Sequence, residues 1–197
     1  MKFSEIFTSK DSIQLDRKTL VILRWIALVG QYLTISTVFF IFKFELPFLY
    51  CSIVIFLGIL TNIYLQFKFK KNQLNNFAAT SFLFYDLFQL SLLLYFTGGI
   101  TNPFSILLIV PAIVSSTFLN LKSTINLSIT TVLILLTLTI YKLPLPHYGE
   151  LHFHVPDTYL ISLPISIVIT LIFLTYFGVR FGIVSRKRTE ALNKLEL

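Results

Sequence analysis

A single cysteine, Cys51, in 197 residues excludes an intrachain disulfide and any cysteine-based metal cluster. It lies in an apolar run, where packing accounts for it. No histidine falls within an apolar run, so facing histidines cannot hold a haem iron inside a helical bundle. A P-loop, an HExxH zinc motif and a GxSxG nucleophile elbow are all missing. The first 18 residues, MKFSEIFTSKDSIQLDRK, are polar and mixed in charge, which does not fit a cleavable signal peptide. No internal repeat and no soluble domain stand out.

Charge is scarce, at 13% of residues, whereas 55% are hydrophobic. A soluble domain cannot bury that much apolar surface. Several runs of about 20 residues carry few or no charges, the length needed to cross a hydrocarbon core about 30 Å thick. The expected fold is an all-α membrane protein, a bundle of six transmembrane helices over 20–42, 47–67, 77–96, 103–119, 124–141 and 159–184. Residues 1–18 form an N-terminal segment, 19–184 the bundle, and 185–197 the start of a linker helix that continues the last span. Leu192 and Leu195, with Ala191, mark one face of that tail. Pro111 and Pro164 are expected to kink spans 4 and 6.

The net charge of +7 is explained by topology. Basic residues collect in the N-terminal segment (Lys2, Lys10, Arg17, Lys18), the 2–3 loop (Lys68, Lys70, Lys71), the 4–5 loop (Lys122) and the C-terminal end (Arg180, Arg186, Lys187, Arg188, Lys194). The opposite side holds Lys43 and Lys142. By the positive-inside rule both termini are cytoplasmic, and nucleic acid is not a partner. Membrane lipid is.

Two ionisable residues fall within spans, Arg24 and Asp86. Each costs roughly 2.5–3.5 kcal/mol near the bilayer centre on insertion scales unless it finds a partner or a wet cavity. They lie at broadly similar depth, so an Arg24–Asp86 pair can clasp spans 1 and 3. Snorkelling of Arg24 to headgroups and a protonated Asp86 satisfy the same residues. Gln89 shares the face of Asp86, giving span 3 a polar stripe. Gly178 and Gly182, four apart in span 6, permit close helix approach within the chain or across a dimer. In the 142–158 loop, His147, His152, His154 and Asp157 have no pattern that supports a metal site, and none is assigned.

Between spans 3 and 4 stands TGGITNPF, residues 97–104. Asn102 before Pro103 is a strong helix start, and Gly98 and Gly99 can take positive φ. A tight turn accounts for the stretch. The same features suit an uncharged ring compound: bare glycine backbone for close approach, the Asn102 amide and free N–H groups of span 4 for hydrogen bonds, and Phe104, Tyr95 and Phe96 for stacking.

Gly98 to Phe104 matches the GGxxNPF heptapeptide of the RegB/PrrB family of redox-sensing histidine kinases, and the chain resembles that family's sensor region along essentially its whole length. Six spans, an LRWIAL opening span 1 and SILLIVPAIVSST after the heptapeptide agree as well. The resemblance implies a sensor for a two-component system in the bacterial inner membrane. A quinone, ubiquinone or menaquinone, would be bound from the quinone pool by Gly98, Gly99, Asn102, Pro103 and Phe104. It also implies a homodimer in the full kinase and a cognate response regulator as partner. The family's phosphoacceptor histidine box, ATP-binding domain and linker cysteine do not occur between Met1 and Leu197, so this chain as given is not expected to act as an enzyme; no catalytic residue is assigned. It reads as part of such a kinase or as a stand-alone sensor. A six-span substrate-binding component of a vitamin-type transporter and a purely structural membrane subunit are the alternatives.

Overall fold

The apolar runs bounded by charges become six helices in the computed structural model, which describes residues 15–68, 73–147 and 156–195. They are α1 (Arg17–Ser36), α2 (Phe48–Lys68), α3 (Asn76–Phe96), α4 (Val110–Phe118), α5 (Leu121–Ile140) and α6 (Asp157–Leu195). Short polar side chains start three of them: Asp16, Asn75 and Asn120 accept from the backbone N–H three residues on. Among the described residues the one strand-like pairing is an isolated bridge between Asp16 and Gln73.

Five of the helices are long and apolar enough to cross a membrane. The fourth apolar stretch, Pro103–Phe118, is shorter and opens in a different form. Pro103–Ile109 is a 3-10 helix of 7 residues, and only then does the chain relax into the 9-residue α4. At about 2.0 Å rise per residue in the first part and 1.5 Å in the second, the element still reaches roughly 27 Å. Pro111 therefore falls in the first turn of α4, where its missing N–H is not needed, rather than at a mid-helix kink. Pro164 is accommodated inside α6, which runs without a break through 39 residues. Helix α1 ends in a π-helical turn, Thr37–Ile41.

The helices form two groups joined by α3. Helix α1 packs on α2, α2 on α3, and α3 on α4 and α5, while α6 covers α4 and α5. The larger buried cluster holds Leu83, Leu87, Leu90 and Leu94 of α3 against Leu108, Leu127, Leu135 and Leu171. A smaller one joins Leu28, Cys51, Ile55 and Leu93. Large apolar side chains such as Ile26, Leu33, Ile129 and Phe173 point outward, as lipid-facing residues do.

Hydrogen bonds and close contacts sort the connections to two ends. Leu74 N donates to Leu15 O (3.3 Å), Thr80 Oγ1 to Ser123 Oγ (2.7 Å), and α6 meets the end of α4 at Thr117. The start of α1, the start of α3 and the α4–α5 link, with Gly182 of α6, thus share one end of the bundle, the basic end that holds Arg17, Lys18 and Lys122. At the other end Glu45 N donates to His147 O (3.0 Å) and Leu143 N to Tyr95 O (3.0 Å).

Gly178 and Gly182 pack α6 against α4 of the same chain. A Cβ on Gly178 would stand 2.0 Å from Ser116 Oγ, and one on Gly182 would stand 2.7 Å from the Thr117 carbonyl oxygen. Backbone cannot step aside as a side chain can. Gly182→Val is therefore expected to lower stability by about 1–3 kcal/mol through overpacking. Thermal unfolding in detergent checks this, and an unchanged midpoint would mean that the α4–α6 contact opens freely.

Candidate functional site

The loop between α3 and α4 is built around two glycines and one asparagine. Helix α3 closes with Thr97 N donating to Leu94 O (2.9 Å) and Thr97 Oγ1 to Leu93 O (2.9 Å). The chain then reverses through Gly98 (φ 107°) and Gly99 (φ 60°), conformations that glycine takes without a Cβ penalty. Asn102 is extended, as a residue before proline prefers (φ −70°, ψ 127°). Its Oδ1 accepts from Phe104 N (2.9 Å), while Nδ2 donates to both Thr97 O (3.0 Å) and Thr97 Oγ1 (2.8 Å). One amide thus ties the end of α3 to the start of the 3-10 helix.

This geometry corrects two expectations. The Asn102 amide does not reach toward a ligand: both its hydrogens are spent inside the loop. The first N–H groups of span 4 are not free either, since Phe104 N and Ser105 N are taken by the Asn102 side chain and carbonyl. The glycine backbone is approached closely, but by the protein itself. A Cβ on Gly98 would meet Leu145, and one on Gly99 would lie 2.6 Å from Lys142 Cβ and 2.7 Å from Leu138 O. Gly98, Gly99 and Ile100 are buried beneath the segment that follows α5.

What the loop does present is Pro103 and Phe104, both exposed, with Phe104 at 45%. A 3-10 helix repeats every three residues, so Phe104, Leu107 and Val110 stack in one column, and all three are exposed. Phe96, expected beside Phe104, stacks instead on Tyr50 of α2 (centroids 5.7 Å apart). Tyr95 meets Phe96 edge-on at 5.5 Å and is partly buried against the larger core.

A second polar site lies within the bundle. Arg24 is 4% exposed, and its Nε donates to Asp86 Oδ1 at 2.8 Å. Its Nη2 donates to Thr61 Oγ1 (2.8 Å), and the Phe82 and Tyr85 rings flank the guanidinium at 5.3 and 5.7 Å. The structure thus brings together the two ionisable residues of spans 1 and 3, and Arg24 turns inward rather than toward headgroups. One turn outward, Gln89 Nε2 donates to Gln31 Oε1 (2.9 Å). Asn62, fully buried, donates to Val21 O (3.2 Å). Sequence reasoning did not single out Gln31, Thr61 or Asn62, although Thr61–Asn62 is a conspicuous polar pair within GILTNIYL.

His152 and His154 lie outside the described residues. His147 accepts from Glu45 N through its carbonyl, and Asp157 stands in the first turn of α6. Among the described residues no group of His, Cys, Asp and Glu is arranged to hold a metal ion.

The family of PilS-like transmembrane domains matches residues 18–179 of this chain. The sensor histidine kinase RegB of Cereibacter sphaeroides is 32% identical over 176 residues, 89% of this chain and 38% of that protein. The chain therefore spans well under half the length of the curated relative it matches. No solved structure matches it.

Proposed function

We infer the function from one premise: this chain belongs to the family of PilS-like transmembrane domains. It is a membrane sensor domain of the RegB-like histidine kinases, a multi-pass protein of the bacterial inner membrane. We propose that its ligand is a quinone seated on the exposed Pro103–Phe104 face of the loop, with the basic end of the bundle and both termini in the cytoplasm. Phosphotransfer would belong to the part of such kinases that this chain does not span.

The observation that carries this reading is the exposed column Phe104–Leu107–Val110, which rises from a loop held rigid by Asn102. The ring stacks on Phe104, and the isoprenoid tail follows the column among the lipids. Gly98, Gly99 and Asn102 shape the site from beneath instead of touching the ring. The route onward is supported by packing: the column leads into α4, whose Ser116 and Thr117 press on Gly178 and Gly182 of α6. Quinone would shift the sensor only through different affinity for two packings of this contact. Kinase of this class would work as a homodimer with its response regulator.

The test is saturable binding of a short-chain ubiquinone to the purified chain in nanodiscs. Phe104→Ala is expected to weaken it about tenfold, the equivalent of one lost aromatic contact near 1.4 kcal/mol. Phe104 is 45% exposed and lies outside the buried core clusters, so the fold should survive. Unchanged affinity, or no saturable binding to the wild type, would remove the quinone from this loop.

A further inference from the structure

The connection between α1 and α2 stands at the end of the bundle opposite the basic one, where Glu45 N donates to His147 O. The last turn of α1 is π-helical, and Phe44 N reaches back to Val38 O at 3.1 Å. Between them the chain turns through Lys43, whose φ of 53° makes it the one non-glycine position with a left-handed backbone among the described residues. Glycine or asparagine ordinarily takes such a position after a helix, because a side chain there crowds the following carbonyl. Strain of this kind collects where a side chain has a ligand to meet.

Lys43 and Glu45 line one cavity, about 540 Å³ and open to the outside, together with Phe39, Phe44, Leu46 and Pro47. Both charged residues are exposed. Only two positions separate them, yet neither forms an ion pair among the described residues, with each other or with anything else. The rest of the lining is apolar, and its Phe39 ring is fixed by stacking on Phe48 of α2, centroids 4.7 Å apart. Beside the cavity Phe40, Ile41 and Phe42 are each more than half exposed, as side chains that face lipid are.

Opposite charges left apart at one cavity suit a ligand that carries both signs. A purely anionic ligand would be repelled by Glu45, and a purely cationic one by Lys43. The neighbouring apolar side chains add a preference for hydrocarbon. We propose that this cavity is a binding site for the zwitterionic headgroup of a phospholipid, phosphatidylethanolamine. Lys43 takes the phosphate, Glu45 takes the ammonium, whose N–H groups give the carboxylate charge-assisted hydrogen bonds, and the acyl chains follow Phe40, Ile41 and Phe42. The bound lipid fixes the α1–α2 turn at the membrane surface. This site is separate from the Pro103–Phe104 face and does not depend on the quinone reading.

Native mass spectrometry of the full chain in detergent tests it, with phosphatidylethanolamine and phosphatidylglycerol added in equal amounts. Phosphatidylglycerol shares the phosphate and lacks the ammonium, and its binding at the basic end is untouched by substitutions here. Glu45→Gln is expected to weaken retention of phosphatidylethanolamine about fivefold, the upper range of one screened ion pair, and to leave phosphatidylglycerol within twofold. Lys43→Gly should weaken phosphatidylethanolamine by a similar factor while unfolding at the wild-type temperature or above, because glycine relieves the left-handed turn. Soluble phosphoethanolamine at millimolar concentration should not displace the lipid, since it brings no chains. If either substitution leaves phosphatidylethanolamine within twofold of wild type, or Glu45→Gln weakens both lipids alike, the headgroup is not held at this cavity. Displacement by phosphoethanolamine would overturn the lipid assignment in favour of a soluble zwitterion.

Discussion

Replacing Asp86 with leucine while Arg24 remains is expected to lower the stability of the bundle by about 3–5 kcal/mol, the usual cost of stranding one partner of a buried pair. Arg24 is 4% exposed, and one of its nitrogens, Nη1, already lacks a partner among the described residues. Asp86 supplies the only formal counter-charge bonded to it there. Thr61 and the Phe82 and Tyr85 rings hold the guanidinium in place but cannot neutralise it. The cation would have to pull α1 toward the headgroups or remain unpaired among apolar side chains. The double variant Arg24→Leu, Asp86→Leu should recover most of the loss, because no charge is left behind. Reversible unfolding in bicelles across the four proteins of that cycle measures the coupling. A single Asp86→Leu within 1 kcal/mol of wild type would mean that the contact is incidental.

The second large effect is expected at Asn102. Asn102→Ala removes the cap of the 3-10 helix, worth about 1 kcal/mol, and leaves the buried Thr97 without its donor, worth about 1–3 kcal/mol more. A total loss of about 2–4 kcal/mol follows. Asn102→Asp separates the two parts: the acceptor for Phe104 N survives, while a carboxylate oxygen replaces the donor facing Thr97 O. If the tie to Thr97 matters, aspartate should be no better than alanine in a thermal melt. If aspartate restores wild-type stability, only the cap counts. Either way, quinone binding lost in an Asn102 variant cannot be read as a lost ligand contact, and Phe104 is the cleaner probe.

Most of the helical layout was legible because a membrane protein states its spans twice, in apolar length and in the charges that interrupt it. Residues 77–96 and 124–141 differ from α3 and α5 by only a few residues at either end. The unbroken tail was legible too, since nothing between Val184 and Leu195 breaks a helix. The 3-10 form of Pro103–Ile109 was not, because a run with one polar residue, Ser105, has no polar periodicity to reveal whether it repeats every three residues or every 3.6. Arg24 and Asp86 could be singled out by what a lone charge costs in lipid. The cover over Gly98 and Gly99 could not: Lys142 and Leu145 come from some forty residues along the chain, and only tertiary packing brings them there. Residues 98–102 read in sequence as an accessible surface, whereas in the structure the two glycines are covered and the Asn102 amide is bonded within the loop.

Helix α6 carries phase as well as length. A continuous helix of 39 residues extends about 58 Å, nearly twice the thickness of the hydrocarbon core. No proline interrupts it below Gly182, so any rotation of the helix about its axis at Gly182 would be expected to carry through to Leu195. Each residue inserted or removed below Gly182 advances whatever follows by 1.5 Å but swings it through about 100°, and a change of seven residues restores its heading to within about 20°. The bearing of the far end is thus encoded in a residue count.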